Sequence, residues 1–253
     1  MSNFLNLGCV VLPSTLIPKN LKASHTNCST CSLRELCLPV GLDEPEVEVL
    51  GDLANHKCQI KRGEYLHRTG ASFKSLYAVR RGFFKTCVLE RDGRQQVTGF
   101  HMTGELIGLD AISTELHTCD AIALEDSEVC EIPFAKLEEM GRNIPPLMHH
   151  FHKIMSREIV KDHGVMMLLG SMKAEERLAT FLLNLSRRFF KRGYSASDFV
   201  LRMTREEIGS YLGLKLETVS RAFSKLQEEG IITVNNKHIH ISDIERLKSK
   251  IGG

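Results

Sequence analysis

Hydrophobic positions change their period three times along this chain, and each change predicts a different architecture. Residues 1–27 show no period and read as an irregular or mobile arm. From residue 41 to 55 a short helical pattern appears, with Val47, Leu50 and Leu53 apolar. Between Cys58 and Phe134 short β-rich runs (75–80, 82–89, 96–100) alternate with Gly63, Gly70, Gly82, Gly93, Gly99 and Gly104. That texture predicts an antiparallel sandwich (jelly roll) or barrel. Beyond Pro145-Pro146 the period turns helical, and Ile144, Met148, Phe151, Met155, Ile159 and Met166 fall near one stripe. A helix this long exceeds what a small sandwich can cover, so the stripe predicts pairing with a second copy. A further amphipathic segment carries Leu178, Phe181, Leu182, Leu185 and Phe189 and closes on Arg187-Arg188 and Lys191-Arg192, cations suited to a helix C-terminus.

Residues 199–241 carry a second strong pattern. Thr204-Arg-Glu-Glu207 reads as a capping box that opens a helix with Ile208, Tyr211 and Leu212 inward and a stop at Gly213. A second helix begins near Leu216 and runs to Gly230. Val219, Phe223 and Leu226 lie at i, i+4 and i+7 and point inward, whereas Glu217, Ser220, Arg221 and Ser224 share another face. A carboxylate, two hydroxyls and a guanidinium suit base edges: Arg can bridge guanine O6 and N7, and Glu can accept from cytosine N4. Ile231-Ile-Thr-Val, an Asn235-Asn236 turn and Lys237-His-Ile-His-Ile then predict a two-stranded wing. The sum is a winged helix-turn-helix, and the fold class is α+β.

Composition narrows the partners. The net charge of +2 over 253 residues means that nucleic-acid binding must come from a local basic surface. No apolar run approaches membrane-spanning length. The N-terminus has no basic residue before its apolar stretch, and Leu-Gly-Cys9 lacks the positive flank of a lipoprotein signal, so a cytoplasmic location is expected. Thiols there stay reduced, and clustered cysteines favour metal over disulfide. Cys28, Cys31 and Cys37 fall within ten residues, and a tetrahedral site needs a fourth ligand from Cys9, Cys58, Cys87, Cys119 or Cys130.

Several segments together carry a family resemblance: Cys28-x2-Cys31-x5-Cys37, Val129-Cys130-Glu-Ile-Pro-Phe134, Ala174-Glu-Glu-Arg177, Leu185-Ser-Arg-Arg-Phe189, Tyr211-Leu-Gly-Leu214 and Glu217-Thr-Val-Ser-Arg221. Over nearly its whole length the chain resembles the FNR-type (fumarate and nitrate reduction) oxygen-sensing regulators of the CRP superfamily. The resemblance implies a [4Fe-4S] cluster on Cys28, Cys31, Cys37 and the distant Cys130, leaving Cys9, Cys58, Cys87 and Cys119 as small apolar residues. It implies a cluster-binding arm (1–40), a β-roll sensor domain (41–140), a dimerisation helix (141–170) and a winged helix-turn-helix domain (171–253). It also implies a homodimer on palindromic promoter DNA, with Ile159 packed across the interface and the Asp162 carboxylate weakening dimers that lack the cluster. The loop 89–95 corresponds to a surface that touches RNA polymerase in the family, although Arg94 departs from the acidic residue expected there.

Cyclic nucleotide binding is disfavoured. Superfamily relatives use an arginine beside a small hydroxyl residue after a Gly-Glu-Leu turn, and Gly104-Glu-Leu here is followed by no arginine until Arg142. Zinc is the alternative for the same four thiolates and would make the chain a metal-stabilised or small-molecule-responsive DNA binder. An enzyme is not expected, since no nucleotide fingerprint and no nucleophile–base pair are visible.

Overall fold

In the computed structural model of the protein, the described residues are 28–54, 56–89, 93 and 95–251; the expected arm at 1–27 and Cys9 lie outside them. The first helix, α1 (Glu44–Leu53), starts on an Asp43 cap whose side chain accepts from the Glu46 amide, while Glu46 reaches back to the Asp43 amide. Eight strands follow: β1 (Lys57–Ile60), β2 (Tyr65–His67), β3 (Ser75–Arg81), β4 (Phe83–Leu89), β5 (Gln95–Met102), β6 (Leu106–Ile107), β7 (Asp120–Ala123) and β8 (Ser127–Pro133). They form two antiparallel four-stranded sheets, ordered β1-β8-β3-β6 and β2-β7-β4-β5.

Period-2 alternation sorts these strands into layers. Val79 and Val129 of the first sheet meet Phe84, Ala121 and Ala123 of the second in the sandwich interior. Their neighbours Ala78 and Ile132 face the other way, into a core with α1, Leu38 and two helices, α2 (Phe134–Asn143) and α3 (Pro145–Ser171). The outer face of the second sheet carries Val97, Phe100 and Met102, which pack on the C-terminal helices.

Those helices are α4 (Ala174–Phe190), α5 (Arg205–Leu212), α6 (Leu216–Glu228) and α7 (Ile244–Ser249), with β9 (Asp198–Val200), β10 (Ile232–Asn235) and β11 (His238–Ile241) as a small sheet. The capping box forms as its sequence dictates: the Glu207 amide donates to Thr204 Oγ1 at 3.1 Å and the Thr204 amide to Glu207 Oε2 at 2.7 Å. Gly213 closes α5 at φ 62°, a left-handed turn that glycine adopts without a Cβ penalty.

One expectation needs correction. The stripe of α3 is not wholly left for a second copy. Phe151 is fully buried in the chain's own core, and Ile144, Met148 and Met155 join that core. Only beyond Met155 does the helix emerge, where Ile159, Val160, Met166 and Met167 are all exposed. The first half of α3 is covered because α1, α2 and the first sheet form a third layer that the sequence pattern did not reveal.

Candidate metal centre and nucleic-acid interface

The cysteine segment folds as two short turns, Cys28–Thr30 and Arg34–Leu36. The Cys31 amide donates to the Cys28 carbonyl at 3.3 Å, the Arg34 amide to Cys31 at 3.1 Å, and the Val40 amide to Cys37 at 3.4 Å. Leu38, 1% exposed, pins the segment to the core. Cys130 lies in β8, opposite Lys57 and Ala78, and period 2 turns it away from the sandwich interior that Val129 enters. Cys28, Cys31, Cys37 and Cys130 thereby line one pocket. Leu33, Leu38, Leu50 and Ile132 supply apolar wall.

The electrostatics of this pocket oppose charge. Burial, with Cys130 and Cys31 adding, pushes the Cys28 thiol up to about 11. Burial pushes Cys37 up to about 12, and the other three sulfurs add to it. Cys130 is raised by burial against the opposing Arg80. At neutral pH the pocket alone therefore favours thiols. Four convergent sulfurs become thiolates together only around a multivalent cationic centre, so this donor set fits a thiolate-bound metal or an iron–sulfur cluster. Cys87 and Cys119 are buried free thiols, in keeping with their apolar reading, whereas Cys58 is buried but disulfide-bonded and so departs from it.

Two contacts lead out of the pocket. The His150 imidazole of α3 hydrogen-bonds to the Cys37 backbone. Gly104, at φ +86°, lies so close to Leu36 that a Cβ there would stand 2.9 Å from the Leu36 Cβ. The next residue, Glu105, holds both guanidiniums of α4's end: Arg188 Nη2 at 2.6 Å and Arg192 Nη2 at 2.7 Å. Burial raises the Glu105 carboxyl, but Arg188, Lys161 and Arg192 overcome it and hold the group down at about 2. Further along the same face, Ser210 of α5 accepts from the Val97 amide at 2.8 Å, and Lys85 pairs with Glu207 at 2.9 Å. This docking of the sandwich on the C-terminal domain was invisible in the sequence, since its partners stand 83 to 122 residues apart.

On α6, Val219, Ala222, Phe223 and Leu226 are buried, whereas Glu217, Arg221 and Ser224 are exposed and Ser220 is half-buried. The sequence-derived reading face is thus presented to solvent. Arg205 escaped that reading because it sits inside the capping box. Its guanidinium carbon lies 4.2 Å from the Phe223 ring centroid, and its Nη1 is buried without a hydrogen-bond partner among the described residues. It borders a polar notch with Ser224, Gln227 and Asn236, a place for an anionic oxygen beside α6.

On α3, Ile159 and Asp162 are both exposed, and Glu158 pairs with Lys161 at 2.9 Å. Residues 90–92 and 94 of the loop expected to meet RNA polymerase lie outside the described residues. Among the described residues, no helix is long and apolar enough to cross a membrane.

An antiparallel β-roll joined by a long helix to a winged helix-turn-helix defines a DNA-binding transcription regulator. Residues 57–143 match the family described as cyclic nucleotide-binding domain, and residues 176–250 match the Crp-like helix-turn-helix domain. The chain is 44% identical to the transcriptional regulatory protein btr of Bordetella pertussis, over 93% of this chain and 97% of that protein. It is 42% identical to the fumarate and nitrate reduction regulatory protein of Escherichia coli, over 89% of this chain and 90% of that protein. The solved structure of FixK2 from Bradyrhizobium japonicum is 31% identical, with a TM-score of 0.73 over 78% of this chain and 98% of that one. The chain belongs to the CRP/FNR family, as an FNR-type regulator.

Proposed function

We propose that this regulator responds to oxygen through a [4Fe-4S] cluster held by Cys28, Cys31, Cys37 and Cys130. The observation that carries the reading is the convergence of these four sulfurs, three from one segment and one from β8, on a single pocket. When bound, such a cluster supplies an air-sensitive cationic core that offsets the thiolate charge. Cys28 and Cys37, whose thiols burial pushes up, must release their protons to hold it, so binding free energy and ordering of the segment are one quantity.

The ordered segment then acts on its neighbours. Cys37 presses on His150 and so sets the start of α3. Leu36 packs on Gly104, which places Glu105 against Arg188 and Arg192 and so sets α4 against the sandwich. With α3 seated, its exposed Ile159, Val160, Met166 and Met167 face a second copy, and apolar burial outweighs repulsion between the two Asp162 carboxylates. The homodimer sets two α6 helices on successive major-groove turns of a palindrome, with Glu217, Ser220 and Arg221 reading bases. Arg205 supplies a phosphate contact from its notch. A loosened segment returns the balance to the Asp162 repulsion, and a single half-site is too weak against competing DNA. The loop 89–95 is the surface offered to RNA polymerase.

Cyclic nucleotide plays no part in this reading, because both oxygens of Glu105 are engaged by Arg188 and Arg192 and none is free for a sugar hydroxyl. Anaerobically purified protein should be brown, with ~4 iron and ~4 sulfide per chain. Colourless protein with one zinc per chain would replace the cluster by a structural metal.

A further inference from the structure

The first turn of α4, Ala174-Glu-Glu-Arg177, begins where α3 ends, and each of its charged side chains reaches a different place. Glu176 turns back on its own helix and accepts from the Lys173 amide at 3.2 Å. Glu175 pairs with Lys225 of α6 at 2.7 Å. Arg177 reaches furthest. At the end of α3, its Nε donates to the Met172 carbonyl and its Nη2 to the Leu169 carbonyl, each at 2.9 Å. At the end of α5, its Nη1 donates to the Leu212 carbonyl, also at 2.9 Å.

The physics of helix ends explains why an arginine suits this place. The last carbonyls of a helix have no intrahelical donor and carry the negative end of its dipole. Both α3 and α5 turn such an end on Arg177, and a guanidinium offers the rigid fork of donors that can meet both. The backbones are pressed together here as well. A Cβ on Gly213, in the turn between α5 and α6, would stand 3.1 Å from Leu169 Cδ2 and 3.4 Å from Arg177 Nη1. Leu168, Leu169 and Met172 pack into the C-terminal core and complete the joint. The exposed stretch of α3 with Ile159, Val160, Met166 and Met167 thus runs straight into the helix-turn-helix.

We propose that Arg177 is the positioning residue that fixes the angle between α3 and α6, and thereby the half-site spacing that the paired protein accepts. In a twofold pair joined along α3, the separation of the two reading helices follows from that angle. Ser210 and Lys85 hold α5 on the sandwich, whereas Arg177 holds it on the helix that meets the second copy. Without the guanidinium, α5 and α6 keep their own fold through the Thr204 capping box and the buried Val219, Phe223 and Leu226, but swing against α3. The inference rests on pairing through α3 and base reading by α6, and is independent of which metal centre the four cysteines hold.

Anaerobic full-length protein tests it on operators whose half-sites are moved together or apart by one base pair, about 3.4 Å along the axis. The parent should lose about a hundredfold in affinity at a wrong spacing, because its second reading helix is then out of reach. Arg177→Lys keeps the charge without the fork, and Arg177→Gln keeps neither; both should cut that loss to less than about tenfold. Binding to a duplex with a single half-site, which reads the intact helix-turn-helix, should stay within about twofold of the parent. If Arg177→Gln does not fold, Arg177→Lys decides the matter. Undiminished spacing preference in Arg177→Lys, or a loss shared equally by single half-sites and palindromes, overturns the proposal. A parent indifferent to spacing would instead strike down the pairing through α3, and the proposal with it.

Discussion

Two buried clusters of ionisable groups meet where Leu36 touches Gly104, and they are built on opposite principles. At Glu105 one carboxylate faces Arg188, Arg192 and Lys161, and the cations hold it down at about 2. At the cysteine pocket four sulfurs face one another with too little positive charge, and Cys28 and Cys37 are pushed up to about 11 and 12. The first cluster is complete within the chain and needs nothing from outside. The second is complete only with a cationic centre. Under the proposed function, a regulator gains from having the two in contact, because the complete cluster fixes the sandwich on the DNA-binding half while the other would make that arrangement depend on the bound cluster.

The largest expected effect comes from breaking the incomplete cluster. Cys37→Ser should remove iron from anaerobic protein and weaken promoter binding by about a thousandfold, down to the level of non-specific DNA binding. Gel-shift titration beside iron analysis checks it, and full binding without iron would remove Cys37 from the ligand set. Breaking the complete cluster should act differently. Glu105→Gln leaves two guanidiniums half-buried without their carboxylate, for a loss of roughly 3 kcal/mol in urea unfolding. Iron content should not change.

The complete cluster also has a pH signature. Its folded-state pKa is depressed from 4.5 to about 2, so its stabilisation is fully present above the ordinary carboxylate range. It is lost as the pH falls from about 4.5 towards about 2. Acid unfolding of Glu105→Gln should lack that component. The same acid slope in variant and parent would place the pH dependence elsewhere.

Smaller effects report on the two ends that the clusters join. Arg221→Ala should cost about 1–3 kcal/mol at one base pair of the site, read from binding to a panel of mutated operators. Uniform loss across the panel would make Arg221 a phosphate contact. Asp162→Ala should strengthen the dimer in air by at most about 1 kcal/mol, because exposed charges interact weakly. Sedimentation at several concentrations would detect it, and unchanged association would remove the repulsion between copies.

The sequence disclosed those features whose partners are close along the chain. The Thr204 capping box, the Gly213 stop, the inward Val219, Phe223 and Leu226, and the wing around Asn236 all depend on spacings under ten residues. The three clustered cysteines were legible for the same reason, whereas Cys130 entered only through its resemblance to a family motif. Period 2 later explained it, since Val129 points into the sandwich and Cys130 away. The Glu105 corner, the bond from Arg177 to the Leu212 carbonyl and the notch at Arg205 stayed hidden, because each joins residues distant in sequence through tertiary packing. The half-buried course of α3 was misread for a related reason. Its stripe is continuous in the sequence, but α1 and α2 cover only the part up to Met155.

The most direct measurement is iron and acid-labile sulfide, with oligomer size, on one anaerobic sample before and after exposure to air. The account predicts ~4 of each per chain in a dimer that binds its operator, with iron lost or rearranged and monomer regained in air. An iron-free anaerobic dimer that binds the operator as tightly before air as after it would contradict the account.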